Sequence, residues 1–299
     1  MKKLQIGVIV GVGALLLTGC SSGGTAGGGE ALTSGVNEDA KAALPQDIVD
    51  AGVINVAVDY PYPPFEYEDE AGNLAGIDID LAYAIGEKLD IDISINKQPF
   101  DSVVASLQAN KNDIILSGMN DTIERQEVLD FVEYLYAGFS IAVPAGEASI
   151  QSSSDLCGLT ISSQKASTSG DILRGLSDEC TAEGKPEITI HELATTNDGQ
   201  TAVQAGNADA FIGDAPIMAY LVATAGDGET FELVDFPEAP MGFEPVYTGV
   251  GILKEDGLTE AISLAMKSIE EDGTYAALLA KHDLEQYGVD SIDVNLAEK

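Results

Sequence analysis

The chain has no tryptophan, two histidines, three cysteines and few basic side chains. Each shortage removes a class of function. His191 and His282 stand apart, and no group of His, Cys or carboxylate residues has the spacing of a metal site. Neither a metal nor a cofactor is called for. The sequence has no Gly-rich phosphate loop and no Gly-x-Ser-x-Gly turn, so enzymatic machinery is not evident. Against 50 Asp+Glu there are 14 Lys+Arg, a formal net charge of −36. So few cations cannot neutralise a phosphate backbone, which argues against nucleic acid as a partner. The same balance argues against docking on an anionic membrane face. Such an excess keeps a protein hydrated at the cost of self-repulsion; salt relieves that repulsion, and a saline habitat fits it.

What remains is the composition of a globular protein. Hydrophobic residues make up 45% and charged residues 21% of 299 positions, enough for one large or two medium domains. Lys2 and Lys3 precede the mostly apolar Ile6–Leu17, a run too short and Gly-rich for a membrane span but suited to a signal peptide. Leu17-Thr18-Gly19-Cys20 resembles the bacterial lipobox. That resemblance implies cleavage after residue 19 and a lipid on Cys20, on the outer face of the cell membrane. Ser21–Gly29 reads as a Gly/Ser tether, and the linker is expected to continue to Leu44. With Cys20 taken, Cys157 and Cys180 form an even remainder. In an oxidising compartment they are expected to pair, with two buried thiols as the alternative.

The body alternates strands and helices, which predicts an α/β fold with a parallel sheet covered by helices. Val53–Val58 reads as a strand and Asp59–Phe65 as a Pro-rigid loop; Glu66–Asn73 is a polar turn or hairpin. Asp78 is expected to cap a helix carrying Leu81, Ile85 and Leu89 on one face, and Asp101 a second helix. Phe139–Val143 reads as a strand crossing to a second alternation, which runs through strands at Leu159–Ser162, Ile188–His191 and Ala208–Ile212. Tyr247–Leu253 reads as a strand, followed by two helices separated by Gly273. Ligands of such sheets sit beyond the carboxyl ends of the strands. Asp59, Phe100 and Gly118–Arg125 all lie in loops of that kind.

The stretch Asp113–Tyr136 concentrates the chemistry. A short apolar strand, Ile114–Leu116, leads into the polar turn Ser117–Asp121, after which Thr122 is expected to cap a helix. Arg125 falls in the first turn of that helix, where the backbone partial charge disfavours a cation. A guanidinium there can hold a carboxylate by two parallel hydrogen bonds, and Gly118 lets backbone groups approach. The residues alone leave a second reading, in which Arg125 pairs with Asp121, Glu124 or Glu127 on a solvated face.

Ser-Gly-Met-Asn-Asp-Thr-Ile-Glu-Arg (117–125), followed by Val-Leu-Asp-Phe (128–131), resembles the signature of the amino-acid-binding proteins of ABC importers. These are the bacterial extracellular solute-binding proteins of family 3, and the similarity extends over nearly all of the chain after about residue 45. The resemblance implies a two-lobed periplasmic-binding-protein-like fold of type II, with a hinge and a ligand cleft. Lobe one would comprise 45–138 and 248–299, and lobe two 139–247. It implies that Arg125 and the turn at Thr168 take the carboxylate of a free amino acid. Gly118, Asn120 and Asp214 would take its ammonium, and Asp59, Tyr62 and Phe100 its side chain. Asp214 also has the bland reading of a helix N-cap before Pro216. Asn120 replaces a more usual Ser or Thr, and Ala166 a customary Gly. An acidic Asp59 points to an Arg, Lys, His or Gln side chain. The implied partners are an ABC permease and, through lipid alone, the membrane; the protein is expected to be a monomer. Cyclohexadienyl dehydratases, which turn over prephenate or arogenate, share the resemblance and supply the rival reading, and a ligand-sensing subunit is a third.

Overall fold

The computed structural model describes residues 35–297 except 148 and 236–238. The expected signal peptide 1–19, Cys20 and the Gly/Ser tether lie outside the described residues. The expected linker ends earlier than Leu44. α1 (Glu38–Ala42) is capped by the Asn37 side chain, and Asn37 N–H donates to the Lys88 carbonyl. Fully buried Ala40 packs into the main core, which a tether would not do.

α2 (Gln46–Ala51) leads into β1 (Val53–Val58), and a small hairpin of β2 (Tyr67–Glu68) and β3 (Leu74–Ala75) follows. α3 (Ile77–Leu89) buries Ile77, Leu81, Ile85 and Leu89. It begins at Gly76, not at Asp78, so the expected Asp78 cap is absent and its carboxylate turns into the interior. β4 (Asp92–Lys97), α4 (Val103–Gln108) and β5 (Ile114–Ile115) complete the first alternation. Asp101 caps nothing here either. It lies in a 3-10 turn, Phe100–Ser102, and pairs with Lys165 Nζ at 2.7 Å.

The expected helix after Thr122 is a single 3-10 turn, Arg125–Glu127. The chain must extend at once into β6 (Leu129–Pro144), a 16-residue strand far longer than the apolar run Phe139–Val143. β7 (Thr160–Gln164), α5 (Thr168–Ala182), β8 (Thr189–Leu193), α6 (Thr196–Gln204), β9 (Ala210–Asp214) and α7 (Ala215–Thr224) form the second alternation. After β10 (Phe231–Leu233), the long β11 (Phe243–Leu253) returns, and α8 (Thr259–Glu271) and α9 (Thr274–Lys281) follow. Cys157 and Cys180 form the expected disulfide.

The strand order is β4-β1-β5-β11-β6-β9-β7-β8, with β10 on the far part of β6. β1, β4 and β5 are mutually parallel, as are β7, β8 and β9. β6 and β11 run antiparallel between the two sets and belong to both halves. Their register shifts between Phe243 and Val246 and again between Thr248 and Gly249. The carboxyl ends of both parallel sets therefore point at one another across this pair, as the bond between Tyr62 and Asp214 shows.

Candidate ligand-binding site

All eight candidate binding residues gather where these ends meet. Asp59 and Tyr62 follow β1, Phe100 follows β4, and Gly118–Arg125 follow β5. Thr168 opens α5 directly after β7, and Asp214 ends β9. Asp214 makes no side-chain cap to α7. Its carboxylate accepts from Tyr62 Oη (2.7 Å) and Asn120 Nδ2 (2.8 Å) instead. Arg125 donates to the Asn120 carbonyl at 2.8 Å and the Ala166 carbonyl at 3.1 Å. Its guanidinium carbon lies 5.6 Å from the centre of the Phe100 ring. The acidic neighbours Glu124 and Glu127 do not bind it, so the surface-pair reading of Arg125 falls away.

Gly118 has φ +54, and a Cβ there would sit 2.8 Å from the Tyr62 ring. Only glycine lets this loop lie against the aromatic ring. Its own N–H is committed to Asp78 Oδ2 at 2.7 Å, which leaves the carbonyl as its other backbone polar group. Ala166 adopts φ +60, the left-handed conformation that a Gly would take freely. The turn is thus kept, at a cost of about 1–2 kcal/mol for a residue with a Cβ. Thr168 Oγ1 is buried without a hydrogen-bond partner among the described residues. Buried hydroxyls are normally bonded, and the Ser163 hydroxyl on β7 is the same kind of exception.

Burial dominates the electrostatics. It pushes the carboxyl of Asp214 up, against the Asn120 and Tyr62 bonds and the Arg125 charge, which hold it down. Burial likewise pushes Asp59 up, opposed by bonds from the Gln164 side chain and the Phe100 backbone. Desolvation pulls Arg125 down, and the Asp214 charge opposes that only in part. Two carboxylates and one arginine, all short of water, suit a zwitterion with a further positive or polar tip. No group of three or more His, Cys, Asp or Glu among the described residues is placed to hold a metal.

Residues 54–285 match the family model described as bacterial extracellular solute-binding proteins, family 3. The chain belongs to this family. The arginine-binding protein ArgT of Corynebacterium glutamicum is 31% identical over 257 residues, covering 85% of this chain and 82% of that protein. The amino-acid ABC transporter substrate-binding protein AbpA of Streptococcus pneumoniae, solved bound to L-arginine, superposes with a TM-score of 0.70 at 26% identity. That match covers 80% of this chain and 97% of the other. An ancestral amino acid-binding protein, described as a precursor of cyclohexadienyl dehydratase, superposes at 0.68 with 29% identity over 79% of this chain and 98% of its own. The α/β architecture is accordingly the two-lobed fold of these binding proteins, with the cleft between the lobes.

Several residues behind the cleft escape a reading of the sequence. Gln164 Nε2 donates to Asp59 Oδ2 at 2.7 Å, joining the two halves beside Tyr62. It lies in the turn segment read for Thr168, and a polar residue closing a strand was its one signal. Fully buried Asp78 accepts from Tyr134 Oη (2.6 Å) and Gly118 N–H. Fully buried Glu66 accepts from Ser117 Oγ (2.6 Å), and the Ser117 hydroxyl also accepts the Asp59 N–H. Burial raises Asp78 to about 6 and Glu66 well above the carboxylate range, the latter helped by the Asp78 charge beside it. The two acids hold Ser117 and Gly118 from below.

Proposed function

We propose that this family 3 protein captures a free amino acid with a cationic or amide side chain and delivers it to an ABC importer. The carrying observation is that Asn120 joins Arg125 and Asp214, its carbonyl accepting from the guanidinium and its amide donating to the carboxylate, while Arg125 also reaches the Ala166 carbonyl in the turn before Thr168. Arg125 and the Thr168 turn take the carboxylate. Asp214, Asn120 and the Gly118 carbonyl take the ammonium. Asp59, Tyr62 and Phe100 select among Arg, Lys, His and Gln, and similarity to proteins named for arginine makes L-arginine the first ligand to test. Residues 45–138 and 248–299 form one lobe and 139–247 the other, closing on the ligand by a hinge. A signal peptide ending at residue 19 directs export and is removed, and a lipid on Cys20 then holds the monomer on the outer face of the cell membrane, where it meets its permease. No helix among the described residues is long and apolar enough to cross a membrane.

The likeness to a dehydratase precursor favours one rival, turnover of prephenate or arogenate. That reaction needs a placed general acid. One panel separates the two: thermal shift of the full chain with each natural amino acid, prephenate and arogenate, plus a turnover assay on the last two. A ligand at 100 times its dissociation constant stabilises the folded state by about 2.7 kcal/mol. Stabilisation by a cationic amino acid that Arg125→Ala abolishes is the expected result. Turnover, or micromolar binding that survives Arg125→Ala, sinks the assignment.

A further inference from the structure

The loop that carries Asn120 and Arg125 is held from behind by a second pair of buried acids. Asp121 and Glu133 are 1% and 0% exposed. Asp121 accepts from Gln126 Nε2 with both oxygens (2.8 and 2.9 Å) and from the Ala297 N–H (3.0 Å). Its own N–H donates to the Tyr247 carbonyl on β11. Glu133, on β6, accepts the Leu296 N–H at 2.9 Å with Oε1, while Oε2 meets no N–H or O–H donor. Two consecutive amides of the C-terminal segment thus divide between the two acids. That segment is laid along β6 by the bridge between Val132 and Val294 and by mutual bonds between Phe131 and Asn295.

No cation balances the two acids among the described residues. The nearby Asp130 and Asp293 carboxylates bind Asn295, Thr259 and Lys254 in one case and face Lys267 in the other. Two carboxyl groups buried on neighbouring amides of one segment, out of water and without a cation, resist ionising together. Burial first, and the bond to Asp121 second, hold Glu133 up at about 8. A proton on Glu133 supplies the donor that Oε2 lacks, with Asp121 as its acceptor.

We propose that Glu133 donates a retained proton to Asp121, and that this bond is a positioning element of the binding loop, tying it to β6 and to the C-terminal segment. Asp121 stands between Asn120, whose carbonyl takes the Arg125 guanidinium, and Thr122, whose hydroxyl takes the Arg125 N–H. Losing the proton sets two negative charges against each other at the base of both supports. The inference rests on the reading of this loop as the ligand-binding loop. Ligand affinity should then weaken as pH rises through about 8.

The test is titration calorimetry of the full chain with L-arginine from pH 6 to 10, for wild type and Glu133→Gln, each profile scaled to its own value at pH 6. The glutamine amide donates to Asp121 at every pH. Wild type is expected to lose affinity above pH 8 by up to about tenfold per pH unit, the limit for one proton, relative to the variant. Because the ligand's own amino group titrates equally in both, superimposable profiles overturn the proposal. A second readout needs neither variant nor ligand: hydrogen exchange at the Leu296 and Ala297 amides. Protection that falls through pH 8 supports the shared proton, and protection unchanged from pH 7 to 9.5 overturns it. If no amino acid binds at any pH, the binding reading fails while the exchange result still decides the acid pair.

Discussion

Tyr62 Oη donates to Asp214 Oδ2 at 2.7 Å, a bond between the loop after the first strand and the end of β9, 152 residues apart. The same Asp214 holds Asn120, so one carboxylate connects both halves and the binding loop. Asp214→Asn should remove the charge an ammonium needs and weaken L-arginine binding by about 10- to 100-fold, the range of a hydrogen bond to a charged group. Tyr62→Phe keeps the ring stacked on Phe65 at 5.6 Å and should cost about tenfold or less. Calorimetry that reverses this order would remove Asp214 from the ammonium site.

The acid pair under the loop has its own pH signature. Asp78 and Glu66 are both raised in the folded protein, so their contribution to stability is complete below the ordinary carboxylate range and is lost as pH rises through about 6 and beyond. Melting temperatures from pH 4 to 7.5 should fall more steeply for wild type than for Glu66→Gln, which keeps a neutral donor facing Asp78. Parallel curves would mean that no proton is shared there.

The disulfide should matter to stability and not to the cleft. Cys180 lies 12 residues along α5 from Thr168, about 18 Å at 1.5 Å per residue. The bridge spans a sequence separation of 23, so replacing both cysteines by serine should cost roughly 3 kcal/mol in denaturant unfolding. L-arginine affinity at 25 °C should not change; a large loss would show that the bridge shapes the cleft as well.

Charge density should make the fold salt-dependent. At −36, repulsion among carboxylates is expected to outweigh what exposed pairs such as Lys41–Asp90 and Arg174–Asp171 return. The melting temperature should rise between 0.05 and 1 M sodium chloride as the Debye length shrinks from more than ~10 Å to ~3 Å. A flat or falling trend would show that the acidic surface carries no such cost.

Strand and helix order was readable because apolar runs such as Val53–Val58 and Ala208–Ile212 enter the core nearly intact. The candidate residues were picked out by the resemblance; for Asp59, Phe100 and Gly118–Arg125 their place in loops after strands gave a second reason, and the structure keeps them at such ends. The acids were misread. Asp78 sits where a cap belongs, but Gly76 starts the helix and a buried tyrosine competes for the carboxylate. Glu66 reads as part of a polar turn because its partner Ser117 is 51 residues away. β6 was clipped to its apolar end because Asp130 and Glu133 interrupt the pattern, and both are paid back by the C-terminal segment, which sequence proximity cannot reveal. Asn37–Ala42 looked like linker for the same reason: its anchor, the Lys88 carbonyl, lies on a distant helix.

The placement of β11 between β5 and β6 bears on how the chain can fold. Phe139 pairs with Phe243, so the segment that builds β7 to β10 begins and ends at one point of the sheet. Until β11 forms, β4-β1-β5 and the first part of β6 lack the strand that joins them, and Ile115 has no Gly251 beside it. Closing a loop of that length from an unfolded state costs entropy that grows with its logarithm, and contacts so far apart in sequence form slowly. If that segment collapses first into its own β7–β8–β9 unit, its ends are brought together and most of that loop is removed. The half that holds Arg125 would then mature last, its timing set by residues that lie entirely in the other half.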